Sequence, residues 1–467
     1  MPSVTTFVKK VHSGEINVVE HTAKVLQEAK KLNREYHYYN TICEPLAKQQ
    51  ARAIKKNPKG RLAGVPVSVK DAICVQGVES TAGSKILKGY KPLFDATVIQ
   101  RLKKEGAIII GKTAQDAFGF GSFSTNVGLD MKAPINPLDP TRACGGSSGG
   151  SAGITQLTQY PHLSLGESTG GSIAAPASFC GIPALCPTYG KISRYGLMDY
   201  ANSLDKIGPM GKTIEDIALL LEIIAGHDPK DSTSLTSKTE SYSKSLTKAD
   251  HHIGIIKETL GKGTDPKIKD MVLNTIDESE IKHASVSLPL TQKYGVSTYF
   301  LLAMAEASTN LAKYCGMRYG KHETLKGSFN EYFSKVRSHN LNEESKRRIM
   351  IGTFARMAGY RDAFYLKATK IRTKIIEEYK KLFKTYDVLA SPTMPIIAPT
   401  FKEIEKLTPL QHYMMDTMTV GPNLAGLPHM NVTIGEKDGM PVGLLLIADH
   451  EQESTLLKAA KVIENVE

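Results

Sequence analysis

LAGVPVSVKD (Leu62–Asp71) is a nearly unbroken apolar run that ends on a lysine and an aspartate. Its Gly-Val-Pro entry and valine content predict a buried strand over Leu62–Val69, with Lys70 and Asp71 where that strand ends. Downstream, Val98, Ile99 and Leu102 give Thr97–Glu105 a helical spacing, and the run from Ala107 to Lys112 reads as a second buried strand. Strand, helix and strand in that order are the unit of an α/β sheet. Working outward, Thr5–Leu32 reads as two helices separated by Gly14, and Thr213–Ala225 as an amphipathic helix ended by Gly226. Asp228 to about Asp250 is polar and reads as an exposed connection. Then come a strand at His252–Lys257, helical patterning over Ser297–Phe383, and a strand within Thr385–Thr393. Two more strands are expected at Met430–Ile434 and Gly443–Ile447, and a last helix at Ser454–Ile463. No repeat period or low-complexity block interrupts the pattern, which argues against an array.

At 467 residues and 41% hydrophobic content the chain can bury a sizeable core. The formal net charge of +12 weakly favours an anionic partner such as RNA, but the basic residues are scattered, as on a solvated lysine-rich surface. Six cysteines, at 43, 74, 144, 180, 186 and 315, form no C-x-x-C pair and have no histidines at zinc spacing, which points to a reducing compartment and no structural metal. No apolar run is long enough to cross a bilayer.

Chemistry concentrates between Thr141 and Gly190, which hold 10 of the 39 glycines where even scatter gives about four. Three segments stand out: GVPVSVKD (Gly64–Asp71), CGGSSGGSAG (Cys144–Gly153) and STGGSIAAP (Ser168–Pro176). A lysine at a strand end can serve as a base. Taken singly, Lys70 reads as a surface lysine, GGSSGG as a turn or a phosphate cradle, and TGGS as a helix cap.

Taken in order, the three segments resemble the amidase signature family, and the resemblance runs from about residue 5 to residue 460. It implies an α/β fold in a single large domain over 1–467, a mixed central β-sheet covered by helices on both faces. The core catalytic region would be about 60–226, and a mostly helical substrate-pocket region about 297–383. By motif position, Lys70 is the base, Ser147 a relay serine in a cis peptide bond, and Ser172 the nucleophile. The backbone amides of Thr169, Gly170 and Gly171 can supply the oxyanion hole.

Within the family, PTYGKISRYGLMDYANSLDKIGPM (Pro187–Met210), EASTNLAKYCGMRYG (Glu306–Gly320), KRRIMIGTFA (Lys346–Ala355) and NLAGLPHMNVTIG (Asn423–Gly435) look like the glutamine-hydrolysing A subunits of glutamyl-tRNA(Gln) amidotransferases. This implies that Arg348 binds the glutamine α-carboxylate, Asp416 binds its α-amino group, and Tyr299 lines the pocket. A bidentate guanidinium and a carboxylate suit a zwitterion. It also implies no cofactor or metal in this chain, with ATP and magnesium in a partner B subunit. That partner would take the ammonia and carry most of the contact with Glu-tRNA(Gln), and a small third subunit is an option. The lysine-rich composition and departures from the usual motif suggest a mitochondrial form, with the cytoplasm as the alternative.

Those departures are specific. Where the family carries aspartate, arginine and lysine, this chain has Ser168, Ala174 and Cys186. Losing three charges beside the nucleophile is expected to loosen the oxyanion hole. Two alternatives follow: a free-standing amidase for small or fatty amides, against which the Arg348 and Asp416 pair argues, and a catalytically weak scaffold subunit, which the lost charges favour.

Overall fold

The computed structural model describes residues 3–247 and 250–466. Its strands are β1 (Tyr39–Ile42), β2 (Pro66–Lys70), β3 (Ile108–Thr113), β4 (Leu163–Ser168), β5 (Ala184–Cys186), β6 (Lys206–Met210), β7 (His252–Ile256), β8 (Lys282–Val286), β9 (Val388–Pro392), β10 (His429–Lys437) and β11 (Met440–Ala448). All eleven join one mixed sheet in the order β1-β3-β2-β4-β6-β5-β10-β11-β9-β7-β8.

The strand, helix, strand unit is its starting point. β2 and β3 pair in parallel across the helix Thr97–Lys104, whose Val98, Ile99 and Leu102 are fully buried against the sheet. Both strands are buried along their whole length, which is why they read as continuous apolar runs and not as alternation. β2 starts at Pro66, later than expected, because Leu62–Val65 turns through Gly64 at φ +79°. Its other neighbour, β4, is also parallel to it. Lys70 and Ser168 are therefore the C-terminal residues of adjacent parallel strands, and the sheet delivers them to one edge.

The helix Gly149–Leu157 continues from the GGSSGG segment into the core. Its glycines serve packing as well as turning: a Cβ on Gly153 would lie 2.2 Å from the Tyr38 ring. The expected helical region is built from Pro289–Asn310, Phe329–Asn340, Glu343–Arg356 and Lys367–Leu382. Together with the loop carrying Phe118 and Phe120 they bury a second apolar cluster that contains Tyr200, Tyr299 and Phe300.

The polar connection after Gly226 is less exposed than its composition suggests. Asp228 accepts hydrogen bonds from the Thr97 and Ser193 hydroxyls, Asp231 accepts from the Arg194 backbone, and Tyr242 is fully buried. Its side chains are polar because they bind other loops. No helix among the described residues is long and apolar enough to cross a membrane.

Candidate active site

Lys70 ends β2 with its side chain wholly enclosed. Its Nζ donates to three acceptors: Ser147 Oγ at 2.7 Å, the Glu167 carbonyl at 2.8 Å and Glu167 Oε2 at 2.8 Å. Three acceptors match the three N–H of an ammonium. Ser147 follows a cis Gly146–Ser147 peptide. No side chain fits at Gly146, where a Cβ would come within 2.3 Å of Asp116 Oδ2. The neighbouring Ser148 hydroxyl donates to the Glu167 carbonyl at 3.2 Å, which ties this loop to β4.

β4 runs directly into Thr169-Gly170-Gly171-Ser172. Ser147 is fully enclosed, whereas Ser172 keeps 7% exposure, so of the two serines Ser172 is the one that reaches the surface. Lys70 and Ser147 are hydrogen bonded; among the described residues no hydrogen bond joins Ser147 to Ser172. Catalytic hydrogen bonds often close only when substrate is bound. The N–H groups of Thr169, Gly170 and Gly171 donate to no backbone acceptor among the described residues, so they are free to serve an anionic oxygen. Asn423, just before β10, donates from Nδ2 to the Gly170 carbonyl and to the Thr419 carbonyl. In a trans peptide C=O and N–H point opposite ways, so anchoring the Gly170 carbonyl sets where the Gly171 N–H points.

Two of the three expected pocket residues, Tyr299 and Asp416, meet the same loop, and Arg348 joins them through Tyr200. A Cβ on Gly170 would lie 2.8 Å from the Tyr299 hydroxyl, and one on Gly171 would lie 3.5 Å from Asp416 Oδ1. Tyr299 hydrogen-bonds Tyr200, whose hydroxyl takes Nη1 of Arg348 at 2.8 Å. The guanidinium is buried against the Phe120, Phe300 and Tyr413 rings, and its Nε is bonded to Glu344 at 2.8 Å. Burial works against the charge of Arg348, but Tyr200 and Glu344 outweigh it and hold the group cationic. Burial pushes the Asp416 carboxyl up to about 6, against a hydrogen bond from Ser122 and the attraction of Arg348. A cavity of about 190 Å³, lined by Ser122, Glu344, Arg348, His412 and Tyr413 among others, opens beside Arg348.

Two of the three missing charges, the aspartate and the lysine, have a neighbour of the same kind. Glu167, one residue before Ser168, sets a carboxylate on Lys70. Lys206, paired with Ser168 across β4 and β6, places a buried ammonium beside Cys186, where the family's lysine would be. Asp205 Oδ1 lies 2.7 Å from the Thr169 hydroxyl. Charge at the site is thus moved to neighbouring positions. Sequence reasoning assigns no role to Glu167, Asn423, Glu344, Asp205 or Lys206. Asn423, Asp205 and Lys206 lie inside segments that carry the family resemblance, which was the one available signal. Among the described residues no group of three His, Cys, Asp or Glu side chains is placed to hold a metal ion.

The amidase family model matches residues 20–457. The chain is 46% identical over 428 residues to the A subunit of the glutamyl-tRNA(Gln) amidotransferase of Archaeoglobus fulgidus, covering 91% of each protein. It is 41% identical over 474 residues to the protein of that name from a Synechococcus strain, covering 99% of this chain and 92% of the relative. Among solved structures, the glutamyl-tRNA(Gln) amidotransferase A subunit of Thermotoga maritima superposes with a TM-score of 0.80 at 32% identity, over 99% of this chain and 94% of the other.

Proposed function

We propose, from the premise that this chain belongs to the amidase signature family, that it is the glutaminase subunit of a glutamyl-tRNA(Gln) amidotransferase, with Ser172, Ser147 and Lys70 as its reacting groups. The observation that carries the site assignment is the enclosed Lys70–Ser147 hydrogen bond at the edge where β4 turns into Ser172.

Each group has a task set by its surroundings. Ser172 is the more exposed of the two serines, but a serine hydroxyl is a poor nucleophile until its proton has somewhere to go. Ser147 passes that proton inward to Lys70, so the base works without touching substrate. Ser172 Oγ adds to the carboxamide carbon, and the Thr169, Gly170 and Gly171 amides, fixed in advance, receive the oxyanion. Collapse of this intermediate breaks the C–N bond, the proton returns along the serines to the departing ammonia, and water later frees glutamate from the Ser172 ester.

Arg348 and Asp416 hold the α-carboxylate and α-amino groups of glutamine, and Tyr299 lines the path to Gly170. An apolar amide would leave Asp416 with no ammonium to meet and would bring no carboxylate to Arg348 beyond Glu344, so it forgoes both charge-assisted contacts. Ammonia passes to a partner subunit that holds ATP and magnesium and amidates glutamate on tRNA(Gln). Steady-state hydrolysis of glutamine compared with an apolar acyl amide tests the substrate assignment. The expected result is turnover of glutamine alone; preference for the apolar amide would favour a free-standing amidase.

A further inference from the structure

The triad leaves one problem open. Lys70 is enclosed with three acceptors around its Nζ, the arrangement of an ammonium, yet it must act as an amine. The residue pressed against it is Glu167, 4% exposed in its side chain and bonded to Nζ through Oε2 at 2.8 Å. The other oxygen, Oε1, meets the Thr169 hydroxyl at 3.0 Å, and that hydroxyl meets Asp205 Oδ1 at 2.7 Å. One hydroxyl carries one proton and cannot donate to two carboxylates. The contacts are all satisfied if Asp205 holds a proton and donates to Thr169, which donates to Glu167, whose second oxygen faces Lys70. Asp205 is the carboxyl for that state: burial and then the charge of Glu167 push it well above the usual range, against hydrogen bonds from the Tyr200 and Ala201 N–H groups.

We propose that Glu167 is the residue that takes the proton from Lys70, held in place by Thr169 and Asp205, and that it thereby makes Lys70 competent as the base. This rests on the reading of Lys70 as base for Ser172. The step is an internal transfer without change of net charge: the Lys70 N–H bond breaks, an O–H bond forms at Glu167 Oε2, and a neutral amine and carboxylic acid remain. The Lys70 amine then takes the Ser147 proton as Ser147 takes that of Ser172 and the Ser172 C–O bond forms. On collapse the proton returns through the serines to ammonia, and Lys70 recovers its third proton from Glu167. Glu167 acts through Lys70 and touches no substrate, so it is a positioning residue. The titratable groups that surround it are Lys70 on β2, Asp205 at the entry of β6 and Cys186 on β5; Asp116 acts on the pair through Lys70.

The test uses Glu167→Gln and Glu167→Asp in the assembled amidotransferase, with glutaminase kcat and KM measured from about pH 6 to pH 9. Gln keeps an oxygen for the Lys70 N–H but cannot take its proton. The variant has no carboxyl beside Lys70 to receive its proton, so log kcat of Glu167→Gln depends on pH more steeply than that of the parent, up to unit slope. At neutral pH kcat is at least roughly 100-fold down, as for loss of a general acid–base partner, while KM for glutamine stays within about twofold. Glu167→Asp restores a profile shaped like the parent's at lower kcat, and this variant decides the matter if Glu167→Gln does not fold. A Glu167→Gln enzyme with parental kcat and profile, or a unit slope in Glu167→Asp, overturns the inference. Ser172→Ala run alongside separates the two levels: if it retains turnover the triad itself is wrong, and if it is dead while Glu167→Gln is unimpaired only the role of Glu167 fails.

Discussion

Asn423→Ala isolates the contribution of a preset oxyanion hole. The side chain donates to the Gly170 and Thr419 carbonyls and sits 3.3 Å from His429 Nε2, so truncation leaves buried acceptors unpaired. That alone costs about 1–3 kcal/mol of stability, a fall in Tm of about 1–3 °C for a chain of this size. The catalytic loss is separate. Freed of its anchor, the Gly170–Gly171 peptide can rotate, and its N–H no longer has a fixed direction. Loss of one oxyanion donor costs roughly 100- to 1000-fold in kcat, about 2.7–4 kcal/mol, and partial misorientation at least about tenfold. Glutamine binding should change less than kcat, because Arg348 is carried by a separate helix and Asp416 is reached only through Thr419. The assay is steady-state ammonia release at a temperature where circular dichroism shows the variant folded. A folded Asn423→Ala protein with kcat within about twofold of the parent would refute the reasoning, as would a rise in KM with kcat intact.

Arg348→Ala should raise the glutamine requirement by about 30- to 1000-fold, the equivalent of about 2–4 kcal/mol for a charge-assisted fork, while use of free ammonia by the complex is unchanged; amidation of Glu-tRNA(Gln) with each donor checks this. Asp416, pushed up to about 6 by burial, is ionised above that pH and neutral below it. Glutamine kcat/KM should therefore fall as pH drops through about 6, and Asp416→Asn should lose that limb of the profile; an unchanged acid limb in Asp416→Asn would assign it to another group, such as Asp116, which burial also pushes up to about 6. Cys186→Lys, which restores the family residue, sets a second ammonium against Lys206 and should destabilise the fold by roughly 3 kcal/mol in urea unfolding, with Lys206→Met in the same chain relieving most of the loss.

Much of the fold was legible because its first elements bury one kind of surface throughout. β2, β3 and the helix between them carry their apolar residues in uninterrupted or strictly helical spacing, and the observed bounds lie within a few residues of those expected. β4 (LSLGES) and β6 (KIGPM) were not legible, because their Ser, Glu, Gly, Lys and Pro residues are accommodated by partners distant in the chain: Glu167 by Lys70, Lys206 by the Leu427 carbonyl. β1 and β8 are edge strands with few buried residues and little pattern. At the site, Lys70, Ser147 and Ser172 could be named because three motifs occur in a fixed order. The relocation of charge to Glu167 and Lys206 could not be read, since it depends on which strands become neighbours, and the order β2-β4-β6 is a product of the whole sheet.

The central claim is that Ser172 is the nucleophile and that Lys70 activates it. Intact-mass and peptide mass spectrometry after treatment with a fluorophosphonate tests it most directly. The expected result is a single phosphonyl adduct on the peptide containing Ser172, absent from Ser172→Ala and strongly slowed in Lys70→Ala. A folded parent protein that remains unlabelled, or an adduct that forms on another serine and persists in Ser172→Ala, would contradict it.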